Sequence, residues 1–109
     1  MVLILDVVIT CFITDTVIEG FDSKETKMIF DGEFAKKLPR DIQQRARLKL
    51  FQIHSASEIT QLRIPPSNRL EKLSGNLNNF YSIRINQQWR IIFQWSNGSA
   101  SHVKIIDYH

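Results

Sequence analysis

A chain of 109 residues makes one domain, and its 43% apolar content suffices for a small core. The single Cys11 excludes an internal disulfide framework and any cysteine-based zinc cage, and His54, His102 and His109 do not fall at metal-ligand spacing. A net charge of +3 favours an acidic partner, nucleic acid or the ribosome first, in a cytoplasmic and reducing setting.

The first 16 residues differ from the rest. Met1 to Thr16 is nearly all aliphatic and β-branched, with Asp6 and Asp15 as its only charges. It has neither the basic start nor the small-residue cleavage site of a signal peptide. It is shorter than the ~20 apolar residues that span a bilayer, and Asp6 interrupts it, so no membrane association is expected. It reads as one strand, as an apolar tail, or as a non-native stretch upstream of a true start at Val17. Without it the remaining 93 residues carry 14 bases against 9 acids, a charge of +5. The expected division is an extension, 1–16, and a domain, 17–109.

From Val17 the elements follow in order. Val17 to Phe21 reads as a short strand. Asp22 with Glu25 three residues on reads as a capping box opening a short helix to about Phe30, which Gly32 interrupts. Pro39 stands where the first turn of a second helix begins. That helix runs to about His54, with Leu38, Ile42, Ala46, Leu50 and Ile53 on one face and Arg40, Gln44 and Arg47 opposite. Leu48 and Phe51 lie off the stripe, to be covered either by a partner or by a loop. A basic run (Lys36, Lys37, Arg40, Arg45, Arg47 and Lys49, against Asp41) reads as an ordinary helix exterior or as an anion footprint. Pro65-Pro66-Ser67-Asn68 marks a turn. Three strands close the chain: Phe80 to Ile85, Trp89 to Trp95 and His102 to Asp107. Asn86-Gln87-Gln88 joins the first two, and Ser96-Asn97-Gly98-Ser99 is a hairpin signal. The predicted class is α+β: a short N-terminal strand and two helices on one face of an antiparallel sheet, formed mainly by the C-terminal three-strand meander.

Alternation sorts the strand residues, since i and i+2 share a face. Ile83, Ile85, Ile91, Phe93, Trp95, Val103 and Ile105 form the core face. Arg84, Arg90, Gln94, His102 and Lys104 form the other. A one-sided sheet exposes polar groups anyway, yet this face carries no acid and suits phosphate. The closing Asp107-Tyr108-His109 adds a Tyr and a His next to Arg90's strand, the groups needed to cut RNA without a metal.

At this point the residues resemble a family. Pro65-Pro66-Ser67-Asn68-Arg69-Leu70-Glu71-Lys72-Leu73-Ser74-Gly75-Asn76, then Tyr81-Ser82-Ile83-Arg84-Ile85-Asn86, then Gln88-Trp89-Arg90-Ile91-Ile92-Phe93 and the final Asp107-Tyr108-His109 resemble the HigB-type toxins. These belong to the RelE/ParE superfamily of type II toxin–antitoxin systems. The resemblance spans Val17 to His109 and implies the compact RelE-like fold. It implies an mRNA interferase that enters the ribosomal A site and cleaves mRNA there without a metal or other cofactor. A HigA-type helix-turn-helix antitoxin would neutralise it, and only their complex would meet operator DNA.

The implied chemistry is attack of a ribose 2′-OH on the adjacent phosphate, which needs a base, an acid and a charge stabiliser. Arg90 suits the last role, because a guanidinium grips phosphate oxygens in a fork. His109 suits acid or base, because an imidazole titrates near working pH. Tyr108 would orient substrate or stack on a base, and Asp107 would hold an imidazole or guanidinium. Arg84, Lys104, His102 and Lys72 would position the RNA backbone. The sequence departs from the family at one segment. Members carrying Leu-His-Pro-Leu-Lys-Gly are matched here by Leu70-Glu71-Lys72-Leu73-Ser74-Gly75, so Glu71 replaces the His and Ser74 the Lys. Glu71 then becomes a candidate base. The alternatives are a ParE-like toxin that binds DNA gyrase without cutting RNA, or a catalytically weak partner of the antitoxin.

Overall fold

The computed structural model describes residues 18–108; the N-terminal extension, Val17 and His109 lie outside the described residues. Two helices come first in the chain. α1 (Lys24–Phe30) is capped by Ser23, whose Oγ accepts from the Thr26 amide at 3.0 Å. The cap therefore falls one residue after the expected Asp22. The Ser23 hydroxyl also meets the Thr26 hydroxyl at 2.7 Å, and fully buried Thr26 accepts from the Ile105 amide at 2.9 Å. Thr26 thus ties the start of α1 to the sheet and sets which residue caps. Gly32 ends the element with a φ of +86°, a conformation that glycine adopts without steric cost.

α2 (Arg40–Ser55) begins straight after Pro39 and buries Ile42, Ala46, Leu50 and Ile53, the predicted stripe. The loop before it is stitched on by one side chain. Gln43 Nε2 donates to the Ala35 and Leu38 carbonyls at 2.8 and 3.0 Å, and its Oε1 accepts from the Ala35 amide at 3.0 Å. The two off-stripe residues separate. Phe51 packs on the Phe30 ring, centroids 5.3 Å apart, whereas Leu48 stays 58% exposed.

The sheet has four antiparallel strands in the order β1 (Glu71–Lys72), β2 (Tyr81–Arg84), β3 (Trp89–Ser96) and β4 (Ser99–Asp107). β1 was not anticipated. It is only two residues long and pairs Glu71 with Ser82 and Lys72 with Tyr81. β4 starts three residues earlier than its apolar pattern suggests, because the Asn97-Gly98 hairpin pairs Ser96 with Ser99 and the ladder runs on through polar residues. Both turn residues have positive φ, 54° and 78°, as a two-residue hairpin of matching twist requires. On the far edge, Ile18 and Phe21 bridge to Ala100 and Val103 in parallel. Where a short N-terminal strand is expected, the described residues thus make two isolated bridges and no continuous strand.

The helices cover one sheet face. Ile29, Ile42, Ala46, Leu50 and Ile53 pack with Ile83, Ile85, Ile91, Phe93, Ala100, Val103 and Ile105. That is the core face read from alternation, except that Trp95 is only partly buried against it. One irregularity breaks the alternation. Ile92 pairs with Lys104 but Gln94 pairs with Ser101, so β4 carries an extra residue there. His102 sits in that bulge with a φ of +52°.

Candidate active site

The polar face of the sheet is where the sequence places its chemistry, and period-2 registration brings Glu71, Ser82 and Arg90 to it from three adjacent strands. Arg90 is the centre. Its residue is 6% exposed, unusual for a cation on a sheet's outer face. Such a charge needs partners, and Arg90 has three. Its Nη1 donates to Ser82 Oγ at 3.0 Å and lies 3.3 Å from Glu71 Oε1. Its Cζ stands 4.6 Å from the centroid of the Tyr108 ring. The hydrogen bond to Ser82 and the ion pair with Glu71 fall on the same nitrogen.

The C-terminal segment is held in register by the β2–β3 turn. Asn86 Oδ1 accepts from the Gln88 and Trp89 amides at 2.8 and 2.7 Å, closing the turn. Gln88 then receives the Tyr108 amide on its carbonyl at 2.6 Å and donates its side-chain amide to Asp107 Oδ2 at 3.1 Å. Tyr108 is thereby laid over Arg90 and remains 39% exposed. Glu71, Lys72, Ser74, Leu77 and Tyr108 border an open hollow of about 450 Å³. Glu71 and Ser74, the two positions that depart from the family pattern, line the same hollow.

The predicted residues therefore divide. Glu71, Arg90 and Tyr108 come together, with Lys72 at the rim, its Nζ 5.5 Å from the Tyr81 ring centroid. Asp107 is engaged by Gln88 at the edge of the group. Lys104 shares the outer face, opposite Ile92, and is exposed. His102 does not join them. The bulge turns it to the start of α1, where Nδ1 lies 3.0 Å from Asp22 Oδ1. Placing it beside Arg90 by strict alternation is thus corrected, because an extra residue in β4 cancels the period of two. Arg84, across the ladder from Arg90, reaches instead into a separate cavity beneath α2. His109 lies outside the described residues. Sequence reasoning missed Ser82. The signal was present, since Ser82 precedes Arg84 by two positions on the same face, but a serine there reads as ordinary surface.

Comparison with known proteins bears on this arrangement. Residues 19–109 match the family described as "RelE-like toxin of type II toxin-antitoxin system HigB". The chain belongs to the HigB-like toxin family. It is similar to Toxin HigB-1 of Vibrio cholerae, 43% identical over 70 residues that cover 64% of this chain and 74% of that one. It is also similar to Endoribonuclease HigB of Proteus vulgaris, 32% identical over 92 residues, 84% of this chain and 99% of that protein. As a HigB-like toxin of a type II system, the protein has an antitoxin as its partner. Among the described residues no helix is long and apolar enough to cross a membrane.

Proposed function

We propose that this toxin is an endoribonuclease that cleaves mRNA in the ribosomal A site by metal-independent attack of a ribose 2′-OH. The observation that carries the reading is the cluster in which Arg90 meets both Glu71 and Tyr108, two residues that line one hollow open to solvent. The similarity to a protein named as an endoribonuclease supports it.

In this reading the Glu71 carboxylate, held 3.3 Å from Arg90 and half-exposed, takes the 2′-OH proton. The freed oxygen attacks the adjacent phosphorus and the bond to the 5′-oxygen breaks, leaving a cyclic phosphate and a 5′-hydroxyl. The proton for the leaving oxygen comes from His109, a role assigned on residue type and on its place next to Tyr108 in the chain. Arg90 offsets the negative charge that builds on the phosphoryl oxygens. Tyr108 has one ring face on Arg90 and offers the other to a base. Base stacking and charge stabilisation are then coupled through one contact. Lys72 and Lys104 hold the RNA backbone. A HigA-type helix-turn-helix antitoxin neutralises the toxin in the cytoplasm, and operator DNA is met only through their complex.

The test is induced expression in a bacterium lacking the antitoxin, with mRNA 5′ ends mapped on ribosomes. New ends at A-site codons, lost in Arg90→Ala, Glu71→Gln and His109→Ala, are expected. Growth arrest that persists in all three variants, without new ends, would move the protein to a bound target such as DNA gyrase.

A further inference from the structure

The basic run of α2 is not uniform in the structure. Arg40 and Arg47 lie on aromatic rings, 4.6 Å from the Phe34 centroid and 4.8 Å from the Phe51 centroid. Arg45 and Lys49 instead turn to the other side of the helix. There they meet Arg69 from the loop after Asn68 and Arg84 from β2, around a cavity of about 700 Å³. No Asp or Glu lines this cavity, and none of the four cations forms an ion pair among the described residues. Four like charges around one space repel one another, and nothing described neutralises them. Nε of Arg84 is buried without a hydrogen-bond partner, where buried donors are ordinarily satisfied. Lys49 donates to Asn68 Oδ1, a neutral acceptor. Burial and the neighbouring Arg45 push the Lys49 ammonium below its ordinary 10.5, the mark of a cation lacking its counter-charge. The rest of the lining includes the polar side chains of Gln52, Ser67, Asn86 and Gln87.

We propose that this cavity is a second phosphate site, which holds an RNA backbone phosphate away from the one being cut. The inference rests on the endoribonuclease reading and adds a subsite to it. Continuity with the first site is what favours RNA. Arg84 and Arg90 are paired residues on neighbouring antiparallel strands, so their Cα atoms stand about 5 Å apart. The Arg90 guanidinium lies against Glu71 and Tyr108, which line the hollow, and Arg84 lines the cavity. A single strand with its scissile phosphate at Arg90 thus brings a neighbouring phosphate to Arg84, Lys49, Arg45 and Arg69. Protein partners ordinarily anchor through buried aromatic and apolar contacts, and among the described residues the lining offers one exposed large apolar side chain, Leu48.

The test uses the full chain and a fluorescent 2′-O-methyl RNA, which lacks the attacking hydroxyl and so reports binding alone. Lys49→Gln and Arg69→Gln are each expected to weaken it several-fold. Each should also lower the slope of log affinity against log salt by about 0.7, one phosphate contact on a single strand. In NMR titration the Lys49 ammonium should move back up toward 10.5 when the RNA is added. Unchanged affinity and slope in both variants overturn the proposal. So does an affinity loss seen for the antitoxin and not for RNA, which would give the cavity to the protein partner. Failure of the wild-type chain to cut mRNA on ribosomes would instead refute the endoribonuclease reading, and the binding data would separate the two outcomes.

Discussion

Ser82→Ala tests whether Arg90 is held in place for chemistry. Ser82 is fully buried and accepts from Arg90 Nη1 at 3.0 Å. A hydrogen bond from a charged donor contributes about 1.5–3 kcal/mol. Arg90 keeps Glu71 at 3.3 Å, so the lower end applies and the expected loss is about 1.5 kcal/mol. For a domain of this size that lowers Tm by roughly 5–10 °C in a thermal melt. The catalytic effect should be larger than the residue's distance from solvent suggests. Freed on one side, the guanidinium swings toward Glu71, and a misplacement on the order of 1 Å costs up to about 100-fold in rate. Steady-state cleavage of mRNA on ribosomes should show kcat down about 10- to 100-fold with KM little changed. A variant that melts earlier yet cleaves at the wild-type rate would refute the reasoning, because Ser82 would then support the sheet and not the position of Arg90.

Other substitutions probe neighbouring contacts. Tyr108→Phe retains the ring over Arg90 and should cleave nearly as wild type, whereas Tyr108→Ala should lose about tenfold, read in the same assay. His102→Ala removes an exposed pair with Asp22 and should change stability by less than about 1 kcal/mol and cleavage not at all; a cleavage defect would return His102 to the site. Leu50→Ala empties a fully buried position of α2 and should cost about 2–5 kcal/mol in urea unfolding. The Lys49 ammonium lies below 10.5 in the folded protein, so its proton weighs against folding at neutral pH. That cost fades as pH rises through the folded value toward 10.5, so any stability that Lys49→Gln gains at neutral pH should shrink in alkali; a gap independent of pH would contradict the shift.

Much of the architecture was legible because it depends on local periodicity. The stripe Ile42, Ala46, Leu50 and Ile53 names the buried face of α2 by spacing alone. Asn97-Gly98 names the hairpin because few residues accept positive φ in succession. Alternation assigned Ile83, Ile91, Phe93 and Ile105 to the core, and Arg84 and Arg90 to neighbouring strands. Resemblance to a family then pointed to Arg90, Tyr108 and Glu71 as chemistry.

What the tertiary structure alone decided are matters of long-range pairing. A two-residue strand carries too little pattern to be read, yet β1 is what sets Glu71 and Ser82 against Arg90. One extra residue in β4 turned His102 away from the face that a period of two assigns it, and Asp22, 80 residues distant, supplies its partner. The cap of α1 moved to Ser23 because Thr26 is bonded to Ile105 across the domain. Arg45 and Lys49 look like any charged helix exterior until the fold brings Arg69 and Arg84 beside them. Periodicity records which way a side chain points along its own element. Which other element it then meets is settled by strand registration and by helix-on-sheet packing, and the candidate site is made of those meetings.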